Sequence, residues 1–158
     1  MNIFTIGYEG LDMEEFLDRL RRAHVRMVVD VREAPVSHKR GFSKTPLAVA
    51  LRAMDIDYRH MRSLGCPKPI RVRYREDGNW QRYAKAYMQH LHKQDAAVRD
   101  LARVCEEHTA ALLCFEADPG LCHRTYVARA VADLAADTEV WHISASGLVP
   151  DSAISQTA

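Results

Sequence analysis

Short runs of apolar residues alternate along the chain with segments whose apolar residues recur every three to four positions. The apolar runs, rich in Ile, Val, Phe and Thr, predict five strands, at 3–8, 25–32, 56–61, 110–115 and 138–144. The helical spacing predicts five helices, at 11–24, 46–54, 80–91, 96–108 and 125–137. Residues 62–79 hold two prolines and two glycines and are predicted to be irregular.

This alternation predicts a single α/β domain with a mainly parallel sheet and helices on both faces, a three-layer, Rossmann-like arrangement. The length of 158 residues favours one domain. We expect that domain to span residues 1–145. Residues 146–158 are small and polar and are predicted to form a flexible C-terminal tail.

Composition narrows the class of protein. Hydrophobic residues make up 47% and charged residues 27%, with a net charge of +1, as in an ordinary globular protein. The apolar runs are too short to cross a bilayer, and the N-terminus has no basic segment followed by an apolar signal region. We therefore expect a cytoplasmic location and no membrane partner.

The four cysteines include no C-x-x-C pair and no zinc-type spacing. We therefore expect free thiols, with Cys105 and Cys114 in the core, and no metal site. A divalent metal at Asp30 and Glu116 stays open as an alternative that no ligand spacing demands. Nothing in the sequence indicates a particular cofactor.

The candidate functional residues follow the predicted strands. In open parallel sheets, ligands bind beyond the carboxyl ends of the strands. Tyr8 and Glu9 follow the first strand, Asp30 ends the second, and Arg32 and Ser37 come after it. Asp30 and Arg32 lie on the same side of an extended chain. They either pair with each other or face a ligand.

The turn "CFEADPGLCHR", residues 114–124, is the densest group of reactive side chains. Asp118 and Pro119 are predicted to begin a helix, whose first N–H groups attract anions. The spacing of the apolar residues places Arg124 on the sheet-facing stripe, where a guanidinium needs a carboxylate or a bound anion. Two alternatives remain open: an ion pair with Glu116 or Asp30, and an anion-binding arginine.

Cys122 lies at the same predicted helix start, beside His123. A helix start and positive neighbours favour the thiolate, which would make Cys122 a nucleophile. The alternative is a packed thiol. His123 suits either a general acid or base or an ordering hydrogen bond.

The stretch from residue 59 to residue 75 contains six Lys or Arg residues and no acid, and the aromatic residues in and around it are Tyr58, Tyr74, Trp80, Tyr83 and Tyr87. Such a stretch could bind a nucleic-acid backbone and stack its bases. It could equally be a solvated surface.

Several motifs in order, "TIGYEG", "VDVREAPVS", Phe42, "IDYRHMRSLG", "CFEADPGLCHR" and "WHIS", resemble the DUF488 family. The resemblance covers roughly residues 3–145. It implies a compact α/β fold and a site built from the strand-end residues, but no reaction. Family members usually carry Leu-Gly-Gly where this chain has Leu64-Gly65-Cys66.

The favoured hypothesis is an enzyme, a hydrolase or transferase, acting on a phosphate-bearing small molecule or nucleotide at the carboxyl edge of the sheet. The catalytic candidates are Asp30, Glu116, Cys122 and His123, and the anion-binding candidates are Tyr8, Glu9, Arg32, Ser37 and Arg124. The alternatives are a thiol-based enzyme that uses Cys122 and a non-catalytic nucleic-acid-binding module that uses residues 59–75.

Overall fold

The computed structural model describes residues 1–154, and residues 155–158 lie outside that description. The described chain forms six strands: β1 Asn2–Gly7, β2 Met27–Asp30, β3 Asp57–His60, β4 Ala110–Cys114, β5 Glu139–Ser144 and β6 Gly147–Pro150. It also forms six helices: α1 Met13–Arg22, α2 Lys44–Arg52, α3 Lys68–Asp77, α4 Trp80–His92, α5 Asp95–Glu107 and α6 His123–Leu134. Short 3-10 helices occur at Arg62–Leu64, Pro119–Leu121 and Asp151–Ala153.

The six strands form one sheet in the order β3-β2-β4-β1-β5-β6. Neighbouring strands are parallel except β6, which runs antiparallel to β5. The predicted α/β class with a mainly parallel sheet is therefore confirmed. Because β2, β4 and β1 are adjacent and parallel, their carboxyl ends meet at the middle of one sheet edge.

Helices cover both faces of the sheet. Alternate residues of a strand point to opposite faces, so Leu112 of β4 packs in one apolar core and Leu113 in the other. The first core includes residues of α4, α5 and α6, and we call this side of the sheet the α6 face. The second includes residues of α1 and α2, and we call this side the α1 face. This is the three-layer arrangement that the alternating pattern indicated.

The irregular structure predicted for residues 62–79 is wrong, because ten of these residues form α3. Both prolines lie at the helix start, where no main-chain N–H is needed: Pro67 is the N-cap and Pro69 is in the first turn. Gly78 ends the helix in a left-handed conformation, with φ 60°, and its N–H bonds to the carbonyl of Tyr74. Pro67, Pro69 and Gly78, which suggested irregular structure, are therefore the residues that begin and end a helix.

Residues 147–153, within the predicted flexible tail, form regular structure, and that part of the prediction is wrong. Residues 147–150 form β6, and Leu148 pairs with Ile143 of β5. Asp151 then accepts two hydrogen bonds from Arg129 of α6. The small polar composition of this segment does not indicate a strand. The segment is held in place by contacts with β5 and α6, which are not visible in its own residues. The remainder of the predicted tail, 155–158, lies outside the described residues.

None of the helices within residues 1–154 has the combination of length and apolarity that a membrane crossing requires.

Candidate functional site

The loop that follows β1 and the loop that follows β4 cross closely at the carboxyl edge of the sheet. A Cβ added to Gly7 would lie 1.8 Å from the carbonyl oxygen of Glu116, so only glycine allows this approach. The carboxylate of Glu9 accepts a hydrogen bond from the N–H of Ala117, at 2.9 Å. These contacts fix the position of the chain that carries Glu116.

The strand-end residues form two groups, directed toward opposite faces of the sheet. Tyr8, Asp30 and Arg32 bond to one another on the α1 face, where Tyr8 and Phe42 belong to the core. Arg124 belongs to α6 and bonds to Thr5, which alternates with Phe4 and so points to the α6 face. Arg32 and Arg124 therefore have separate sets of partners.

On the α1 face, Arg32 and Asp30 form a buried ion pair with two hydrogen bonds, of 2.9 Å from Nε and 2.8 Å from Nη2. Nη1 of Arg32 donates to the hydroxyl of Tyr8 and the carbonyl of Phe42. The hydroxyl of Tyr58 donates to Asp30 at 2.5 Å. Burial and the Asp30 carboxylate raise the pKa of Tyr58 well above its ordinary value. The alternative in which Asp30 and Arg32 pair with each other is the one observed.

Ser37 lies in the loop after β2, and its hydrogen bonds are to other residues of the same loop. Its N–H donates to the hydroxyl of Ser43 at 3.0 Å, and its own hydroxyl accepts from the N–H of Lys39 at 3.1 Å. The Lys39 ammonium donates to the carbonyls of Tyr8 and Leu11. These groups hold the loop after β2 against the loop after β1.

On the α6 face, the helix starts at His123, two residues before the predicted range 125–137 and four residues after Pro119, which was also predicted to begin it. Asp118 and Pro119 begin the short 3-10 helix, and Asp118 accepts from the N–H of Gly120. Cys122 is the N-cap of α6, which begins at His123. The main-chain N–H groups of the twelve-residue helix therefore start at Cys122, whose thiol makes no capping hydrogen bond to them.

Arg124 is 1% exposed, and its guanidinium bonds to main-chain and hydroxyl oxygens. Nε donates to the hydroxyl of Thr5 at 3.1 Å, and Nη1 and Nη2 donate to the carbonyls of Glu116 and Ala117. The ion pair with the Glu116 carboxylate is not observed, because Arg124 bonds to the main-chain carbonyl of that residue. Pairing with Asp30 does not occur, because Arg32 and Tyr58 bond to that carboxylate.

Three potential ligand groups meet beneath the start of α6. The Sγ atoms of Cys114 and Cys122 and a ring nitrogen of His123 all lie within 4.8 Å of one another. Nδ1 of His123 lies 3.7 Å from Sγ of Cys114, and Nε2 donates to the carbonyl of Val31 at 2.7 Å. All three residues are buried. We call Cys114, Cys122 and His123 the thiol cluster.

The four buried cysteines have different electrostatic surroundings. Burial raises the pKa of Cys66 to about 11 and that of Cys105 to about 12. The hydrogen bond to Cys122, together with burial, raises the pKa of Cys114 well above its ordinary value. Burial also opposes ionisation of Cys122. However, the Cys114 thiol, the Arg124 charge and His123 together hold its pKa well below the ordinary value.

Two acid–base groups adjoin the Cys122 thiol. Burial, followed by the charge of Cys122, raises the pKa of Glu116 to about 7. Oε2 of Glu116 is buried and has no hydrogen-bond partner among the described residues. Burial disfavours the charged form of His123, but the interaction with Cys122 outweighs it and raises the pKa of that imidazole.

Sequence reasoning missed several residues of this region. Cys114 was assigned to the core, and its place beside His123 depends on how α6 docks against β4. Thr5, His142 and Asp151 form a hydrogen-bonded line that ends at Arg124, with distances of 2.6 Å from Thr5 to His142 and 2.9 Å from His142 to Asp151. The "WHIS" motif contained the only signal for this line, a histidine inside an apolar strand.

Comparisons with known proteins were made at the level of families, curated proteins and solved structures. The family described as "Domain of unknown function DUF488" matches residues 12–131, and this range includes Asp30, Arg32 and the thiol cluster. No curated protein and no solved structure matches the chain.

Proposed function

Because the chain belongs to the DUF488 family, whose description assigns no activity, we propose a function from the site itself: a thiol-dependent enzyme that reacts through Cys122. The observation that carries this proposal is the position of the Cys122 thiol at the start of α6, within 4.8 Å of Cys114 and His123. A helix start, a buried guanidinium and an imidazole all favour a thiolate over a thiol. The thiolate is the nucleophilic form of cysteine.

The surrounding groups suit a hydrolase or transferase with a covalent intermediate. The Cys122 thiolate forms a bond to an electrophilic carbon or phosphorus of the substrate. The leaving group departs with its electron pair and takes a proton from the Glu116 carboxyl group. A water molecule or second substrate then displaces Cys122 and gives its proton to the Glu116 carboxylate. His123 stays oriented throughout by its hydrogen bond to Val31.

The test compares the alkylation rates of the four cysteines, which are buried to a similar extent. Cys66, Cys105, Cys114 and Cys122 are between 1% and 5% exposed, so differences in labelling rate do not simply follow exposure. We expect iodoacetamide at pH 7 to label Cys122 of the folded, reduced, metal-free protein fastest, as measured by mass spectrometry of peptides after increasing times. Arg124→Met should slow that reaction, whereas Arg103→Met, on the surface of α5, should not. Labelling of Cys122 no faster than Cys105 would remove the proposal.

The second candidate is an enzyme for a phosphate-bearing small molecule or nucleotide, the hypothesis that the sequence favours. It is supported by the strand-end position of Tyr8, Asp30 and Arg32, where ligands bind in open sheets. It ranks second because protein groups already bond to both buried guanidiniums. Stabilisation by phosphate that Arg32→Lys or Arg124→Lys abolishes would put this candidate first.

Nucleic acid is a further proposed partner, through residues 59–75. These basic residues are distributed over β3, a 3-10 turn and α3. Arg71 bonds to Glu33, and Arg73 lies near Asp77, which reduces the charge that the stretch presents. If the proposal is correct, binding of short nucleic-acid strands should weaken steeply with salt, and replacing Arg73 and Arg75 should flatten that dependence.

The four free thiols suit a reducing compartment, and we propose that the protein is located in the cytoplasm.

A further inference from the structure

We propose that the thiol cluster is a binding site for a thiophilic metal ion of the zinc class, with Cys114, Cys122 and His123 as ligands. The three side chains come from the end of β4 and the start of α6, so the docking of one helix against one strand assembles the site. The proposal concerns the same side chains as the proposed enzyme, but it holds whether or not Cys122 is a nucleophile.

The spacing of the three groups fits tetrahedral coordination. With metal–sulfur bonds of about 2.3 Å and metal–nitrogen bonds of about 2.0–2.1 Å, neighbouring ligand atoms lie about 3.5–3.8 Å apart. Nδ1 of His123 is 3.7 Å from Sγ of Cys114, and all three ligand atoms lie within 4.8 Å of one another. Sγ of Cys114 also lies 3.9 Å from Nε2 of His123, so metal binding requires the imidazole to turn Nδ1 toward the sulfurs as the three ligand atoms draw together.

The imidazole already makes the hydrogen bond that metal-binding histidines commonly make. A carbonyl oxygen can only accept, so the 2.7 Å contact with Val31 places a hydrogen on Nε2 of His123. In the neutral ring, Nδ1 then carries the lone pair, and the Tyr83 hydroxyl lies 3.5 Å from it. Metal-binding histidines commonly donate their second ring nitrogen to a carbonyl or carboxylate in this way.

Glu116 provides a second, independent indication. Its Oε2 is buried and has no hydrogen-bond partner among the described residues, and its carboxyl group interacts with Cys122. A buried carboxylate oxygen without a partner is costly, and a cation bound nearby would lower that cost. Glu116 is thus a neighbour of the three ligands and lies outside the group that they form.

The charges also balance. Two thiolates around a divalent ion leave no net charge, and the Glu116 carboxylate and the Arg124 guanidinium, which both interact with Cys122, offset each other. Within residues 1–154, Arg124 forms no ion pair with a carboxylate. Two sulfurs and an imidazole favour Zn²⁺ or Cu⁺ over Mg²⁺ and Ca²⁺, which prefer oxygen ligands.

The experiment is a titration of reduced, chelator-treated protein with Co²⁺, which reports thiolate ligands and tetrahedral geometry by its absorption spectrum. We expect one equivalent of Co²⁺ to give thiolate-to-cobalt charge transfer and intense visible bands, and Zn²⁺ to displace it. Cys114→Ser, Cys122→Ser and His123→Asn should each weaken binding by more than about 100-fold, since even an outer-shell partner contributes about 10–100-fold. Cys105→Ser, which removes a buried thiol in α5, should bind like wild type.

A second measurement decides the question if the ligand variants do not fold. One equivalent of Zn²⁺ added to the wild-type protein should protect Cys114 and Cys122 from alkylation and leave the rates of Cys66 and Cys105 unchanged. Absence of the cobalt spectrum, or protection that does not single out Cys114 and Cys122, overturns the metal site. Labelling in the metal-free protein tests the proposed enzyme separately, so failure of one proposal is distinguishable from failure of the other.

Discussion

The guanidinium of Arg124 donates to the main-chain carbonyl of Glu116, while Oε2 of the same residue, whose carboxyl group interacts with Cys122, has no hydrogen-bond partner within residues 1–154. Glu116 therefore has two roles. Its main-chain carbonyl holds the Arg124 guanidinium in place, and its side chain remains available to the thiol cluster. This division results from the tight crossing of the β1 and β4 loops at Gly7.

Arg124→Met should destabilise the fold because it leaves buried oxygens without donors. The hydroxyl of Thr5 and the carbonyl of Glu116 would each lose a hydrogen bond, at a cost of about 1–3 kcal/mol per unsatisfied group. Arg124→Lys should recover part of this loss, because one ammonium cannot reach both sites with the geometry of a guanidinium. The measurement is the free energy of unfolding in urea. Equal stability of wild type and Arg124→Met would contradict the hydrogen-bond assignment.

Asp30→Asn should lower stability more than loss of a surface ion pair. It leaves the Arg32 guanidinium buried without its carboxylate, and breaking such a pair costs about 3–5 kcal/mol. The matched control is Asp18→Asn, which removes an exposed partner of Arg21 and should change the midpoint of unfolding little. A similar shift for both variants would show that the Asp30–Arg32 pair contributes no more than a surface pair.

Gly7→Ala should damage the site edge by a steric mechanism. The new Cβ would overlap the main chain of Glu116, and neither segment can move without breaking sheet or loop contacts. We expect a loss of about 1–3 kcal/mol or more in unfolding free energy, together with changed labelling of Cys122. Gly120→Ala is the control, because its Cβ would meet only side chains, those of Asp118 at 3.2 Å and Ile154 at 3.5 Å. Wild-type stability of Gly7→Ala would refute the close approach.

The line from Thr5 through His142 to Asp151 predicts a pH dependence. Burial is the largest influence on His142 and lowers the pKa of its imidazole despite the Asp151 carboxylate. A histidine whose folded pKa is depressed contributes stability above its unfolded pKa, about 6.5, and that contribution is lost as the pH falls toward the folded pKa.

His142→Gln should therefore be less stable than wild type at pH 7 and lose less stability between pH 6.5 and pH 4.5. Asp151, whose pKa is lowered by Arg129 and His142 despite burial, keeps its charge through this window. Thermal unfolding at a series of pH values measures the difference. The exposed His92→Gln should keep the wild-type slope, and other titrating groups, including Glu116, are common to all three proteins. An unchanged slope in His142→Gln would exclude His142 as the titrating group.

The sequence by itself determined the layers of the fold. Periods of two and of about 3.6 residues report which side of each element is apolar, and this local information placed β1, β2, β4 and α6 and the polar residues that follow them. It also indicated that Asp30 and Arg32 could pair, because they are two residues apart on one extended segment. It missed α3, because the prolines and glycines that cap a helix are the same residues that interrupt one.

Only the tertiary structure decided how those residues combine. Cys114 and His123 are nine positions apart, and their contact depends on how α6 lies over β4. Thr5 meets His142 only because β1 and β5 are neighbours, at a separation of 137 residues. Arg32 and Arg124 lie on opposite faces of the sheet. Their positions depend both on the alternation of side chains along the strands and on where α6 packs against the sheet. Such contacts depend on strand order and helix packing, which the apolar pattern leaves open because many arrangements bury the same residues.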